Sequence, residues 1–329
     1  MSATDATLSA VIENALRAAT RAPSVHNTQP WRFVVDAPVI EVHLDRDRVL
    51  AVADQSAREA RMSCGAAMFN LRLALQAAGR GVVMDLLPDA NRPDLLAVLR
   101  VTGVRPATPE QQNLAAAIEH RATNRRPFTD RPVPSTHRNA LIRVAAAEHA
   151  HLVLLDTPKA LDTLATLLRR ADHLQEENPA FQCELRDWTD GAADREDGVP
   201  RVAGGPRPIG GSLLTPRQFP PRSTVERPFE QDPLVAVLTT HGDSPRDHLH
   251  AGLAMQHVLL TATAIGLSTS FLSQPVEVPY TRAALHALMD GQGHPQTVLR
   301  IGYGHRATRT PRRPASAVTS YRVAEGVSR

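Results

Sequence analysis

The chain has 329 residues, 42% hydrophobic and 22% charged, with 37 basic against 34 acidic side chains and a formal net charge of +3. That length allows two modest domains or one duplicated one, and the near-balance of charge excludes a global field drawing the chain to nucleic acid or an anionic membrane. Two cysteines, Cys64 and Cys183, exclude a disulfide framework and fit a reducing cytoplasm.

The N-terminus carries Asp5, Glu13 and Asn14 where a signal peptide needs an apolar run. A first helix is expected from Thr7 to Ala19, stopped by Pro23. From Trp31 the pattern turns extended, with a turn at Asp36-Ala37-Pro38 and apolar-polar alternation from Val39 to Leu44. Ser56 to Ala78 reads as a long helix closed by Gly79 and Gly81. Strands follow at Val82–Leu86 and Leu95–Val101, then helices from Pro109 to Arg121 and from Ser135 to Ala147, and strands at His151–Asp156 and Leu234–Thr239. The most apolar stretch, Met255 to Leu272, is broken by Gln256, His257 and several hydroxyl residues, so it reads as a buried helix and strand.

The chain rhymes with itself. Cys64-Gly65-Ala66-Ala67-Met68 and Leu75-Gln76-Ala77-Ala78-Gly79 match Ala251-Gly252-Leu253-Ala254-Met255 and Ala262-Thr263-Ala264-Ile265-Gly266 at a single offset. Val98–Val101 matches Val298–Ile301, and Ile40–Asp45 resembles His151–Asp156. Three weak matches in one order indicate a duplication. The second copy gains an insertion over about Thr157 to Asp232, with one or two helices and then a stretch rich in Gly, Pro and Arg. A segment this long is functional or disordered, and its Trp188, Ile209, Leu213, Leu214, Phe219 and Phe229 give it something to dock with, so it reads as a lid.

Several chemistries find no support. The histidines form no H-E-x-x-H or Cys/His spacing, so no metal site is expected. Gly204-Gly205 and Gly210-Gly211 lack G-x-G-x-x-G spacing, and neither a G-x-S-x-G elbow nor a Walker A motif occurs. The most specific run is Pro23-Ser24-Val25-His26-Asn27-Thr28-Gln29-Pro30-Trp31. Physics leaves two readings of it open. It is a structural helix–strand turn, or Ser24, Asn27 and Gln29 read a heteroaromatic edge with Trp31 as an apolar wall.

This run resembles the P-S-x-x-N-x-Q-P-W signature of the nitroreductase family, flavin enzymes that work as intertwined homodimers. More closely, Arg21 to Phe33 is similar to the Acg-type NAD(P)H nitroreductases, in which one chain imitates that dimer. The resemblance implies an α+β nitroreductase-like fold of two fused, unequal repeats, residues 1–118 and 119–329, with two mixed sheets and long helices packed between them. The second repeat would carry a lid at about 190–232, and the pseudo-dimer would hold one flavin mononucleotide (FMN) in the crevice between repeats.

By the same resemblance, Ser24, Asn27, Gln29, Pro30 and Trp31 would contact the flavin. Arg121, Thr123 and Arg125 would hold its phosphate, as would Arg312 and Arg313 after the last strand, with Arg309 a lesser substitute. Ser273 and Gln274 take the place of the family's Glu-Gly near the reactive N5 atom, and Arg227 would meet the pyrimidine edge. The first repeat keeps the Pro-Ser run without an arginine element, and the second keeps the arginine element without the run, so parts remain for one flavin site. The implied activity is NAD(P)H-dependent reduction of a nitroaromatic or quinone-type acceptor, with no side chain singled out as catalytic. The alternative is a protein that stores or sequesters FMN without turnover, its lid closed over the altered Ser273-Gln274 loop.

Overall fold

The computed structural model describes residues 3–189, 195–210, 212–214, 216–219, 223–305 and 307–322; the expected lid lies partly outside them. In chain order the first half comprises α1 (Ala3–Thr20), β1 (Trp31–Asp36), β2 (Val39–Leu44), α2 (Arg58–Ala77), β3 (Arg80–Leu86), β4 (Leu95–Val104) and α3 (Pro109–Ile118). The second half comprises α4 (Ser135–Ala146), β5 (His151–Leu155), α5 (Pro158–Glu176), α6 (Pro179–Thr189), β6 (Arg207–Pro208), β7 (Glu226–Arg227) and β8 (Leu234–Thr240). It continues with α7 (Pro245–Ala264), β9 (Ser268–Phe271), α8 (Gln274–Glu277), α9 (Pro279–Leu288), β10 (His294–Gly302), α10 (Ala315–Val318) and β11 (Thr319–Tyr321).

Two sheets sandwich the long helices. The first has the order β11-β1-β2-β4-β3 and the second β5-β8-β10-β9. Only the first sheet is mixed, because β11, returning from the far end of the chain, enters parallel to β1. The four strands of the second sheet pair antiparallel, which corrects the expectation of two mixed sheets; a lone parallel bridge, Thr123 to Thr269, extends its β9 edge.

Local chemistry sets the helix ends. Thr108 and Gln111 form a capping box at α3, and Ser244 and Asp247 form another at α7, each followed by proline in the first turn. The helix α2 is buried along most of its circumference, as a helix between two sheets must be. It crosses α7 where the two matched glycines meet: a Cβ on Gly252 would stand 2.1 Å from Met62 O and 2.9 Å from Gly65 Cα. In an isologous interface a residue near the axis meets its own counterpart, so the duplication folds as an intramolecular pseudo-dimer.

The insertion changes the second sheet. Along β8, Leu234, Ala236 and Leu238 face the central core, while Val235 and Val237 join an outer core made by α5, α9 and Leu214. The sheet is therefore covered on both faces, and β8 has no exposed position. The first sheet keeps the alternation of a one-sided sheet, with Val83 59% exposed on its outer face. Among the described residues no helix is long and apolar enough to cross a membrane.

Candidate functional site

The turn after α1 is backbone-strained. His26, Asn27 and Gln29 adopt φ of 47°, 59° and 55°, a region non-glycine residues seldom occupy. Long-range hydrogen bonds hold it there. Asn27 Nδ2 donates to Gly198 O at 2.9 Å and Pro311 O at 3.0 Å, and its Oδ1 accepts from Arg312 Nη1 at 2.8 Å. Gln29 Nε2 donates to Glu196 O and its Oε1 accepts from Arg313 N, both at 2.9 Å. Ser24 Oγ accepts from Gln29 N at 2.9 Å. The turn, the 196–198 segment and the C-terminal tail therefore position one another. Strain concentrated in so few residues is a mark of a functional site.

Two adjoining cavities open beside this turn, with empty volumes of ≈ 730 and ≈ 640 Å³. Pro23, Ser24, Arg125 and Phe271 line both, so they are two ends of one crevice between the repeats. Their chemistries differ sharply.

The smaller end is basic. Arg21, Arg121, Arg125, Arg309 and Arg312 line it with Thr123 and Asn27, and Glu119, the one carboxylate among the described lining residues, lies 3.2 Å from Arg21. Arg121 is 7% exposed, yet its Nε and Nη1 have no hydrogen-bond partner among the described residues, and Arg312 Nε is likewise orphaned. Burial, then the charge of Arg309, pulls Arg121 down to about 10. Burial, then Arg121 and Arg21, pulls Arg312 down to about 9, and burial with Arg217 and Arg121 brings Arg125 to about 10. All three remain cationic at neutral pH and crowded, and Arg121 and Arg312 keep unpartnered nitrogens among the described residues. A dianion placed among them would relieve both conditions.

The larger end is apolar with a few titratable groups. Val25, Met62, Met255, Phe219 and Phe271 supply the apolar wall, and Ser273 stands at its edge. Arg125 lies 4.8 Å over the Phe219 ring. Arg217 enters from the inserted segment, 9% exposed, paired through both Nη atoms with Glu277 and donating to Gln175 Oε1 at 2.8 Å. Its Nη1 lies 3.1 Å from His26 Nε2, which fits a neutral imidazole accepting there. Burial, then Arg217, pushes His26 down to about 3. Burial would raise Glu277, but the charge and hydrogen bonds of Arg217 hold it low. Glu59 moves the other way, raised by burial and then by the negative charge of Glu277.

Of the residues expected from the sequence, Ser24, Asn27, Arg121, Thr123, Arg125, Arg312 and Ser273 line this crevice. The others lie elsewhere. Trp31 is fully buried in the central core, because as first residue of β1 it takes the inward side of the pleat, and it is no wall of the crevice. Pro30 supplies a carbonyl to Asp45 N at 3.0 Å, and Gln29 is a buried tie. Gln274 is buried at the start of α8. Arg313 turns to Asp45 at 4.0 Å and Ala317 O at 3.1 Å. Arg227 is exposed in β7 and lines a separate cavity with Arg126 and Arg201, because the β6–β7 pairing draws it away.

No family model matches the chain. Its sequence is 31% identical over 321 residues to a Mycobacterium tuberculosis protein named "Putative NAD(P)H nitroreductase acg", covering 95% of this chain and 96% of that one. A second nitroreductase so named from the same organism is 34% identical over 323 residues, covering 94% and 91%. The chain belongs to the nitroreductase family. Among solved structures, the chain is similar to a nitroreductase from Desulfitobacterium hafniense with bound FMN (TM-score 0.40, 11% identity, 64% of this chain and 98% of that). Another, from Bacteroides fragilis and also with bound FMN, gives a TM-score of 0.38 at 12% identity, covering 65% and 96%.

Four residues at this crevice carry no signal in the sequence: His26, Glu59 and Arg217, which line it, and Glu277, which pairs with Arg217. His26 sat inside the recognised run. Glu59 and Glu277 each stand in the first turn of a helix, where a carboxylate normally signals helix polarity alone. Arg217 lay among other arginines of the insertion, and nothing local distinguished it.

Proposed function

We propose that the chain binds one FMN non-covalently and works as an NAD(P)H-dependent oxidoreductase on nitroaromatic or quinone-type acceptors. The carrying observation is the pairing of opposite chemistries within one crevice: orphaned buried guanidinium nitrogens at one end, methionine and phenylalanine walls at the other. FMN has that polarity, a phosphate dianion on a flat apolar ring system. Arg121, Thr123, Arg125 and Arg312 would hold the phosphate, Ser24 would stand over the ribityl region, and Phe271, Met62 and Met255 would pack the ring. The Pro-Ser run and the arginine element each occur once, which supports a single site with the repeats meeting near residue 118. The nitroreductase names of the relatives support a nicotinamide donor.

When bound, FMN supplies the redox chemistry, passing two electrons as hydride between nicotinamide and acceptor. The chain's own residues orient the ring, exclude water and carry charge. The segment bearing Arg217 and Phe219 covers the ring end, so a nicotinamide needs that segment to move aside. The same burial of Arg217 favours a second reading, in which the chain sequesters FMN without turnover.

Two measurements test these readings. Titration with FMN, followed by quenching of flavin fluorescence, should saturate at one equivalent; absence of binding sinks both. Anaerobic stopped-flow mixing of the loaded protein with NADH or NADPH then separates them. Rapid bleaching of flavin absorbance supports the enzyme, while a stable yellow colour that dithionite still bleaches supports sequestration.

A further inference from the structure

One carboxyl group of the crevice, that of Glu59, takes no part in the basic end or in the Arg217 pairing. Glu59, in the first turn of α2, lines the larger end of the crevice beside Met62 and Ser63 and is only 5% exposed. Its Oε1 accepts from Arg58 Nη2 at 2.7 Å. Arg58 is itself fixed by Gln296 O at 2.6 Å and Val276 O at 3.2 Å, so the carboxyl group is held in one orientation. Glu59 lines the cavity, and its Oε2 is buried with no hydrogen-bond partner among the described residues. A buried carboxylate rarely leaves an oxygen unsatisfied; a carboxylic acid offering its proton to a ligand has reason to.

We propose that Glu59 is the proton donor to the electron acceptor, delivering its Oε2 proton to the acceptor oxygen that gains charge. The proposal rests on the FMN reading above. For a quinone, the acceptor gains a hydride from reduced flavin, and one of its oxygens takes the developing negative charge. The Oε2–H bond breaks as a new O–H bond forms on that oxygen, giving the hydroquinone. Glu59 is left as a carboxylate beside Arg58, and a solvent proton restores it. Hydride plus proton accounts for both electrons and both hydrogens.

The electrostatic setting agrees. Facing Glu59 are Arg58 on its own helix, Asp54 from the preceding loop, Glu277 from α8 and Arg217 from the inserted segment. Burial raises Asp54 too, but Glu59 N at 3.1 Å and Ala60 N at 2.8 Å engage its two oxygens, and Arg217 engages Glu277, whereas Glu59 keeps one oxygen unpartnered among the described residues. Burial and the Glu277 charge outweigh the Arg58 pairing and keep it neutral above the ordinary carboxylate range.

The test uses the full chain and the Glu59→Gln variant. FMN titration comes first and isolates the reading from the proposal: if wild type binds no FMN, both fall. With equal FMN occupancy, each protein is reduced anaerobically and mixed with benzoquinone across a pH series in H₂O and D₂O. Wild type should reoxidise more slowly as pH rises through the Glu59 titration and should show a solvent isotope effect. Glu59→Gln should be about 10²–10⁴-fold slower, pH-flat and without that effect. Equal rates and pH profiles at equal occupancy overturn the proposal. Infrared difference spectra of the FMN-free protein give a second readout: wild type should show a protonated glutamate stretch at neutral pH that Glu59→Gln lacks. Should the variant fail to fold, a wild-type spectrum without that band overturns the proposal on its own.

Discussion

Arg312 Nη1 donates to Asn27 Oδ1 at 2.8 Å, joining two residues 285 positions apart. The bond aims a tail arginine into the basic end of the crevice and steadies the strained turn that forms its wall. Arg121→Ala and Arg312→Ala should each weaken FMN binding by about 10–100-fold, the equivalent of ~1.5–3 kcal/mol for a hydrogen bond to a charged group. Riboflavin, which lacks the phosphate, should bind wild type and Arg121→Ala alike. Fluorescence titration with both flavins checks the pair, and equal losses for riboflavin would refute a phosphate role for Arg121.

The helix crossing leaves no room for a methyl group. A Cβ at Gly65 would lie 2.5 Å from Leu249 O and one at Gly252 2.1 Å from Met62 O, both rigid backbone atoms. Gly252→Ala should therefore cost about 1–3 kcal/mol or more through overpacking. A lower urea midpoint with an unchanged slope is the expected result.

Arg300 is 1% exposed, pairs with Glu230 at 2.8 Å, and lies 4.0 Å over Phe128 and 5.1 Å over Phe229. It also donates to Asn124 O and Arg126 O, so it fixes the loop carrying Arg125. Glu230→Ala strands this charge in the interior and should destabilise the fold by about 3–5 kcal/mol. Urea unfolding measures that loss, and FMN affinity should fall with it.

Removing Arg217 should loosen the cover over the ring end. Arg217→Ala gives up a buried ion pair and the contact to His26. Flavin release should accelerate by about tenfold or more, given ~1.5–3 kcal/mol per charged hydrogen bond lost. In the stopped-flow assay with NADPH, bleaching that quickens identifies Arg217 as part of the barrier; an unchanged rate places the barrier elsewhere.

Two buried imidazoles weaken the fold on the acid side, and carboxyl groups such as Glu59 and Asp172, raised by burial, act in the opposite sense. His26 is pushed down to about 3 and His248 to about 4, burial leading in both cases. The unfolded chain takes up both protons below about 6.5, whereas the folded chain resists until far lower. The imidazoles' contribution to stability should therefore fall as pH drops from about 6.5 toward 4. Across that range the melting temperature of His26→Asn should gain on that of wild type as pH falls, and parallel curves would refute the role of His26.

Periodicity and turn chemistry carried most of the fold. The alternation in β1 and β2, the long apolar faces of α2 and α7, and the matched glycines were readable because each is local or repeats. What escaped was decided at a distance. Nothing near Trp31 says that it points into the core while Ser24 faces the crevice, and nothing near Arg227 says that pairing with Arg207–Pro208 carries it off. Arg217 finds Glu277 only after the inserted segment folds back across the second repeat. The mixed character of one sheet and not the other depends on where β11 ends its crossing.

That crossing has a further consequence. With Phe33 aligned to Thr319 and Val35 to Tyr321, the tail completes a ribbon begun near the opposite terminus. A cut in the connector near residue 130 would give two fragments that each need the other, one missing its outermost ribbon and one holding it with no neighbour. Covalent fusion makes their stoichiometry automatic: every translated copy brings one of each half, and the halves are free to diverge without competing for identical mates.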